Sequence, residues 1–261
     1  MKRVVILSYL NDPNFGDRLG YHVLNSLLPP DVEVEHATAR PWSVRLDRPI
    51  DLLVIGIGNS LNAATIRRQE FHDLVDFATH RIGVFGLQYP EQYKKYVTTN
   101  QMAHVFDSLD HWFARYQRDL ERFGTGRDTE THLGDLLISA FPLVRWRENK
   151  ILTIPADIKS KTVQLDRFIQ RVQAARAIES YRIHPLLCGL TAVEKFKFHE
   201  QQEDPDGAIS GKFNNMLFDI FGRDFEENVW HDVDRDRVRD YKIMIDRNLS
   251  EMREIIRELL R

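Results

Sequence analysis

The pattern that most constrains this chain is the alternation of short β-rich runs with helix-periodic segments along its first half. Val4 to Leu7 is a continuous apolar run, followed by Val32 to Val34, Leu52 to Ser60 and Ile82 to Gly86. Between them lie helical patterns, first through Leu19, Val23, Leu24 and Leu27, then through Phe71 to Ala78. Strands that are apolar on both faces and separated by helices form a parallel sheet covered on each side. The segment after the first strand, Asn11 to Asp17, is a loop entering a helix that Pro29-Pro30 closes. A Rossmann-like lobe is therefore expected over residues 1–145.

A second βα series starts with a strand at Lys150 to Ile154, which Pro155 ends. It continues with a helix over Val163 to Val172, a strand or strand-helix boundary at Ala175 to Ser180, and a further strand at Val193 to Phe198. This predicts a small α/β lobe over 146–225, with turn punctuation at Asp204-Pro205-Asp206-Gly207. Trp112 to Phe123 reads as a helix. In the segment 226–261, Tyr241, Ile245, Leu249, Met252, Ile256 and Leu259 recur three and four apart, which predicts an amphipathic helix packing back across a lobe. The alternative for that face is a partner or a membrane surface.

Composition narrows the function classes. With 43% hydrophobic and 29% charged residues over 261 positions, the chain has an ordinary globular makeup. A net charge of −3 provides no global basic field, so nucleic acid is not an expected partner. The single Cys188 rules out an internal disulfide and, lying beside Leu186-Leu187, reads as a buried structural thiol in a reducing compartment. No run approaches the ~20 apolar residues of a membrane span. The cytoplasm is the expected location. HExxH, GxSxG and Walker patterns are absent, and no His pair has ligand spacing, so no metal site is expected.

The small net charge conceals an asymmetry. From Arg145 to Arg182 there are nine basic and four acidic residues, a local excess of five that leaves −8 on the rest. Clustered cations suit a compact, highly anionic ligand such as a phosphate ester or phospho-carboxylate. Arg167, Arg171 and Arg176 read as a solvated helix face, whereas Lys159, Lys161 and Arg182 fall in loops or at strand ends, where they can face a site.

Ligands of open α/β sheets bind beyond the carboxyl ends of strands, where Gly56, Gly58 and Gly86 stand. These glycines serve either simple turn geometry or a site lining. The Gly56-Ile57-Gly58-Asn59 segment is not a dinucleotide fingerprint, since it lacks the third glycine and does not follow the first strand. Asp17 near a helix start can cap that helix. At a cleft mouth it can instead take a proton from a substrate hydroxyl.

Three segments together have the look of a known family. Asn14-Phe15-Gly16-Asp17-Arg18-Leu19 resembles the N-x-G-D-x-L opening of the polysaccharide pyruvyl transferases. Leu53 to Asn59 is similar to that family's glycine-rich third strand, with Ile57 interrupting the usual triple glycine. Tyr181-Arg182-Ile183-His184-Pro185-Leu186, after Ser180, resembles its S-x-R-L-H signature with Ile for Leu. The resemblance implies a two-lobed, glycosyltransferase-B-like architecture, here with a reduced second lobe. It further implies transfer of pyruvate from phosphoenolpyruvate to a sugar of a polysaccharide or glycolipid precursor, giving a pyruvate ketal with no other cofactor. The acceptor would be a saccharide, lipid- or nucleotide-linked, and a lipid-linked one would bring the protein to the inner face of the membrane.

Carried over by position, Arg182 and His184 would bind the donor, and Arg115 corresponds to an Arg that follows a short strand in the family. Asn14, Gly16 and Asp17 would line the acceptor side, joined by Gly58 and Asn59. Phosphoenolpyruvate carries a phosphate and a carboxylate close together, so it needs fixed cations: Arg182 with Lys159 or Lys161. On an extended segment Arg182 and His184 would project from one face. That makes His184 the expected general acid or phosphate ligand and Asp17 the expected base. Otherwise Arg182 and His184 brace a helix start. A nucleotide-sugar glycosyltransferase shares the architecture, and a non-catalytic relative that binds a glycan or partner is the third reading.

Overall fold

The computed structural model describes residues 1–10, 14–58, 61–87, 97–157, 164–200 and 209–261. Asn59, Lys159, Lys161 and the 204–207 turn lie outside the described residues.

The expected α/β fold is present. Six strands form the first sheet: β1 (Arg3–Leu10), β2 (Glu33–Arg40), β3 (Ile50–Gly56), β4 (Ala78–Phe85), β5 (His111–Ala114) and β6 (Glu130–His132). Their order is β2-β1-β3-β4-β5-β6, and every pairing is parallel. Crossovers are made by α1 (Phe15–Asn25), α2 (Ala63–Ile66), α3 (Gln69–Phe77), α4 (Thr99–Ser108) and α5 (Gln117–Phe123). The order reverses between β1 and β3, which makes the space beyond their carboxyl ends the topological switch point.

The continuous helix expected over 112–123 is corrected. Trp112 and Phe113 belong to β5, whose side chains are buried, and the helix starts only at Gln117. Phe113 faces one core and Trp112 the other, which an alternating strand achieves and a helix stripe does not. Arg115 therefore follows a short strand, as the resemblance implies.

The second sheet has the order β10-β9-β8-β7, from β7 (Glu148–Ile154), β8 (Ala175–Ser180), β9 (Lys195–Phe198) and β10 (His231–Asp232). β7, β8 and β9 are parallel, while β10 runs antiparallel to β9. Helices α6 (Leu165–Ala174), α7 (Ile183–Leu190) and α8 (Lys212–Phe221) accompany it, and α9 (Arg235–Leu259) follows. Residues 226–261 are thus not helical from the outset, since β10 still belongs to the second sheet.

Two hydrophobic cores explain the packing. One lies wholly within the first lobe and is built around Leu53, Ile55, Phe71, Phe106 and Trp112. The other begins on the opposite face of the same sheet with Val4, Ile6 and Val54. It continues through α1, takes in Ile154, Ile178 and Phe196 of the second sheet, and ends on α9. The expected apolar stripe of α9 is buried at Tyr241, Ile245, Leu249, Met252 and Ile256, so this helix packs back on both lobes. Phe15 at the start of α1 lies 4.7 Å from Phe168 of α6, ring to ring, joining the lobes directly. Among the described residues no helix is long and apolar enough to cross a membrane.

Candidate active site

The switch point is occupied by side chains from both lobes. After β1, Asn14 caps α1: its side-chain oxygen accepts from the backbone N–H groups of Gly16 (2.8 Å) and Asp17 (3.2 Å). Asp17 returns the favour by accepting from the N–H of Asn14 at 3.3 Å, completing a capping box. The cap is therefore Asn14, and Asp17 sits at the third helical position, half-buried. Burial raises its carboxyl above the ordinary range, against the opposing pull of the Asn14 hydrogen bond, Arg115 and Lys212.

At Gly16 the two lobes are in close contact. A β-carbon there would lie 1.7 Å from Nδ1 of His184, so no larger residue fits without displacing the imidazole. His184 is the second residue of α7 and Arg182 is its N-cap. The extended segment expected to project both from one face is absent, because the helix begins at Ile183. The Ser180 hydroxyl, which accepts from the N–H of Arg182 at 3.1 Å, holds this helix start. Nε of Arg182 is buried, with no hydrogen-bond partner among the described residues.

From the first lobe, Arg115 leaves β5 and reaches the imidazole. Its Nη2 donates to the Asp135 carboxylate at 2.6 Å and contacts Nε2 of His184 at 2.8 Å. Arginine has only donors, so this contact requires Nε2 to accept and places the imidazole proton on Nδ1, facing Gly16. Burial pushes His184 down to about 4, helped by Arg115, Lys212 and Arg182 and opposed by Asp135. His184 is accordingly neutral near pH 7. Burial disfavours the charge on Asp135 as well, yet Arg115 and His184 hold its carboxyl below the usual range. Gly58, with φ of +78°, brings the loop after β3 up to the guanidinium: a β-carbon there would stand 3.1 Å from Nη1 of Arg115.

Asp135 is the residue that sequence reasoning missed. It follows Gly134, whose φ of +85° turns the chain sharply, and it caps the 3-10 turn Leu136–Ala140 by accepting from the N–H of Leu137 at 3.2 Å. Its own N–H donates to the Tyr241 hydroxyl at 2.7 Å, tying α9 into the site. Lys212, at the start of α8, was missed as well; its charge acts on Asp17 and on His184. A Gly-Asp pair ahead of an apolar run signals a turn and cap, which is how Asp135 could have been found.

Arg115, Asp135 and His184 line a narrow pocket with Gly58 and Phe113. The space in it open to the centre of a water molecule is about 10 Å3. Of the expected site residues, Gly58, Arg115 and His184 line it, Gly16 lies against His184, and Asp17 follows Gly16 under the charge of Arg115. Asn14 is exposed and serves the helix cap. Among the described residues no cluster of His, Cys, Asp or Glu is arranged to hold a metal ion.

Fold and site define a two-lobed α/β protein with its polar cluster at the switch point between Rossmann-like sheets. No family model matches the chain, and no curated protein matches it. Among solved structures it is similar to an uncharacterized protein from Klebsiella pneumoniae subsp. pneumoniae NTUH-K2044, at 13% identity and a TM-score of 0.49 over 83% of this chain and 87% of that one. It is also similar to the UDP-GlcNAc 2-epimerase of Methanocaldococcus jannaschii, at 9% identity and a TM-score of 0.47 over 94% of this chain and 93% of that one. At such identities neither likeness speaks to chemistry.

Proposed function

We propose that this chain is a transferase for a compact anionic donor, a pyruvyl transferase that moves pyruvate from phosphoenolpyruvate to a sugar. One observation carries the reading. The three segments that resemble the pyruvyl transferases come together through Gly16, Gly58 and His184: Gly16 lies against His184, and Gly58 lies against Arg115, which contacts His184 at 2.8 Å.

In this reading the donor enters by displacing the Arg115–His184 contact. Arg115, Arg182 and Lys212 then hold its phosphate and carboxylate. An anion beside His184 favours the imidazolium, which lifts the depressed pKa toward the working range. His184 delivers a proton to the enol methylene carbon, leaving the adjacent carbon electrophilic. A sugar hydroxyl attacks that carbon and gives its proton to Asp17, whose raised pKa makes it the stronger base. Phosphate leaves with its bridging oxygen, and a second hydroxyl closes the ketal while its proton passes to solvent or phosphate. The two new C–O bonds and the one C–H bond account for the double bond and the C–O bond lost.

The test is incubation with phosphoenolpyruvate and candidate glycans, reading phosphate release and the ketal by mass. Gly16→Ala is expected to abolish turnover, because its methyl group evicts His184. A fully active Arg182→Ala would remove the donor assignment. Thermal stabilisation by a nucleoside diphosphate and none by phosphoenolpyruvate would replace this reading with nucleotide-sugar transfer.

A further inference from the structure

A second cavity, of about 390 Å3, opens on the first lobe between α1, the 3-10 turn and the middle of α9, and shares no lining residue with the cleft. Its floor is apolar, formed by Leu19, Val23, Leu27 and Leu249. Its rim is polar, and most of that polarity is already engaged. The Asp246 carboxylate is met by Lys242 at 3.4 Å, and the same ammonium donates to the carbonyls of Ile138 (3.2 Å) and Ser139 (2.9 Å). The hydroxyls of Ser26, Ser139 and Ser250 donate to the carbonyls of Val23, Leu136 and Asp246 at 2.7, 2.7 and 2.9 Å.

What remains is Arg253, half-buried on the α9 wall, whose guanidinium has no ion-pair or hydrogen-bond partner among the described residues. His22 stands on the α1 wall. An apolar floor beneath one unmatched planar cation recognises a carboxylate on a hydrocarbon body.

We propose that this cavity binds a small aliphatic carboxylate and that its occupation is felt at the cleft. The second half of the proposal follows from what the walls are. Each touches the polar cluster: α1 through Gly16 against His184, the 3-10 turn through its cap Asp135, and α9 through Tyr241, whose hydroxyl accepts from the Asp135 N–H. At 1.5 Å per residue, Val23 and Leu249 lie roughly 10–12 Å along their helices from Gly16 and Tyr241. A ligand that wedges α1 from α9 therefore shifts, through rigid elements, the groups on either side of the Arg115–Asp135–His184 cluster.

The experiment is a calorimetric titration of the full chain with 4-methylpentanoate, with 4-methylpentanamide and inorganic phosphate in parallel. Saturable binding of the carboxylate alone is expected, weakened about tenfold in Arg253→Gln and lost in Ser26→Phe, which fills the cavity from an exposed position. Absence of saturable heat, equal binding of the amide or of phosphate, or an unchanged Arg253→Gln would overturn the site. The last outcome would place the anion in the cleft instead. In 15N-histidine NMR the His184 ring signals are expected to move at saturation and those of His231 to stay. Immobile His184 signals alongside binding would overturn the coupling.

Discussion

The two sheets differ in how they are held. The first has six parallel strands and owns one core entirely, drawn from residues 5–123, on one of its two faces. The second has four strands, one of them two residues long, and its large apolar side chains pack into a core it shares with the first lobe and α9. β7 at its edge leaves Ile151 62% exposed. A small sheet can thus present Arg182 and His184 at a cleft without an independent core, provided the larger lobe supplies the other wall. Specificity of placement is gained and autonomy is lost.

The strongest way to break that contrast is to separate the lobes. A fragment of residues 146–261 is expected to show no cooperative thermal or urea transition, because its core has lost β1, β3 and α1. A fragment that melted cooperatively would make the second lobe a true domain. Next in size is Asp135→Ala, which removes the carboxylate paired with the buried Arg115 between the lobes. A loss of about 3–5 kcal/mol in urea unfolding is expected.

His184 offers a pH test. Its folded pKa of about 4 lies below the ordinary 6.5, so the unfolded chain binds the extra proton first. Stability from this group is complete above pH 6.5 and falls as the pH drops toward 4, by about 3 kcal/mol in all. His184→Gln is expected to flatten that part of the stability profile, measured by urea midpoints from pH 7 to pH 4. An unchanged slope would mean that the imidazole is not held neutral. Tyr241→Phe removes the acceptor for the Asp135 N–H and is expected to cost about 1–2 kcal/mol by the same measurement. At the small end, Ile151→Thr on the exposed edge is expected to stay within about 0.5 kcal/mol. A larger loss would show that β7 has a partner the apolar pattern does not reveal.

The same contrast explains what could be read from the sequence. Strands such as Val4 to Leu7 and Leu52 to Ile55 are buried on both faces, so they announce themselves as continuous apolar runs. The α9 stripe was equally legible, because one helix face carries all of its burial. Trp112 and Phe113 were misread since a four-residue strand next to a helix gives the same apolar density as a helix alone. The site was legible in part. Gly16, Gly58, Arg115 and His184 belong to recognisable segments, but their convergence is a tertiary fact. Asp135 and Lys212 carry no local signal beyond a turn and a helix start, and Tyr241 was read as one more apolar position because its hydroxyl contact spans 106 residues.

β1 sends Val4 and Ile6 into the shared core and Val5 and Leu7 into the private one. Its amides, locked between β2 and β3, can meet solvent only when both cores have come apart. In deuterium exchange β1 is therefore the slowest clock of the molecule, and the rate at its amides reports the global unfolding free energy. Exposed β7, by comparison, loses its protons through local fraying long before that.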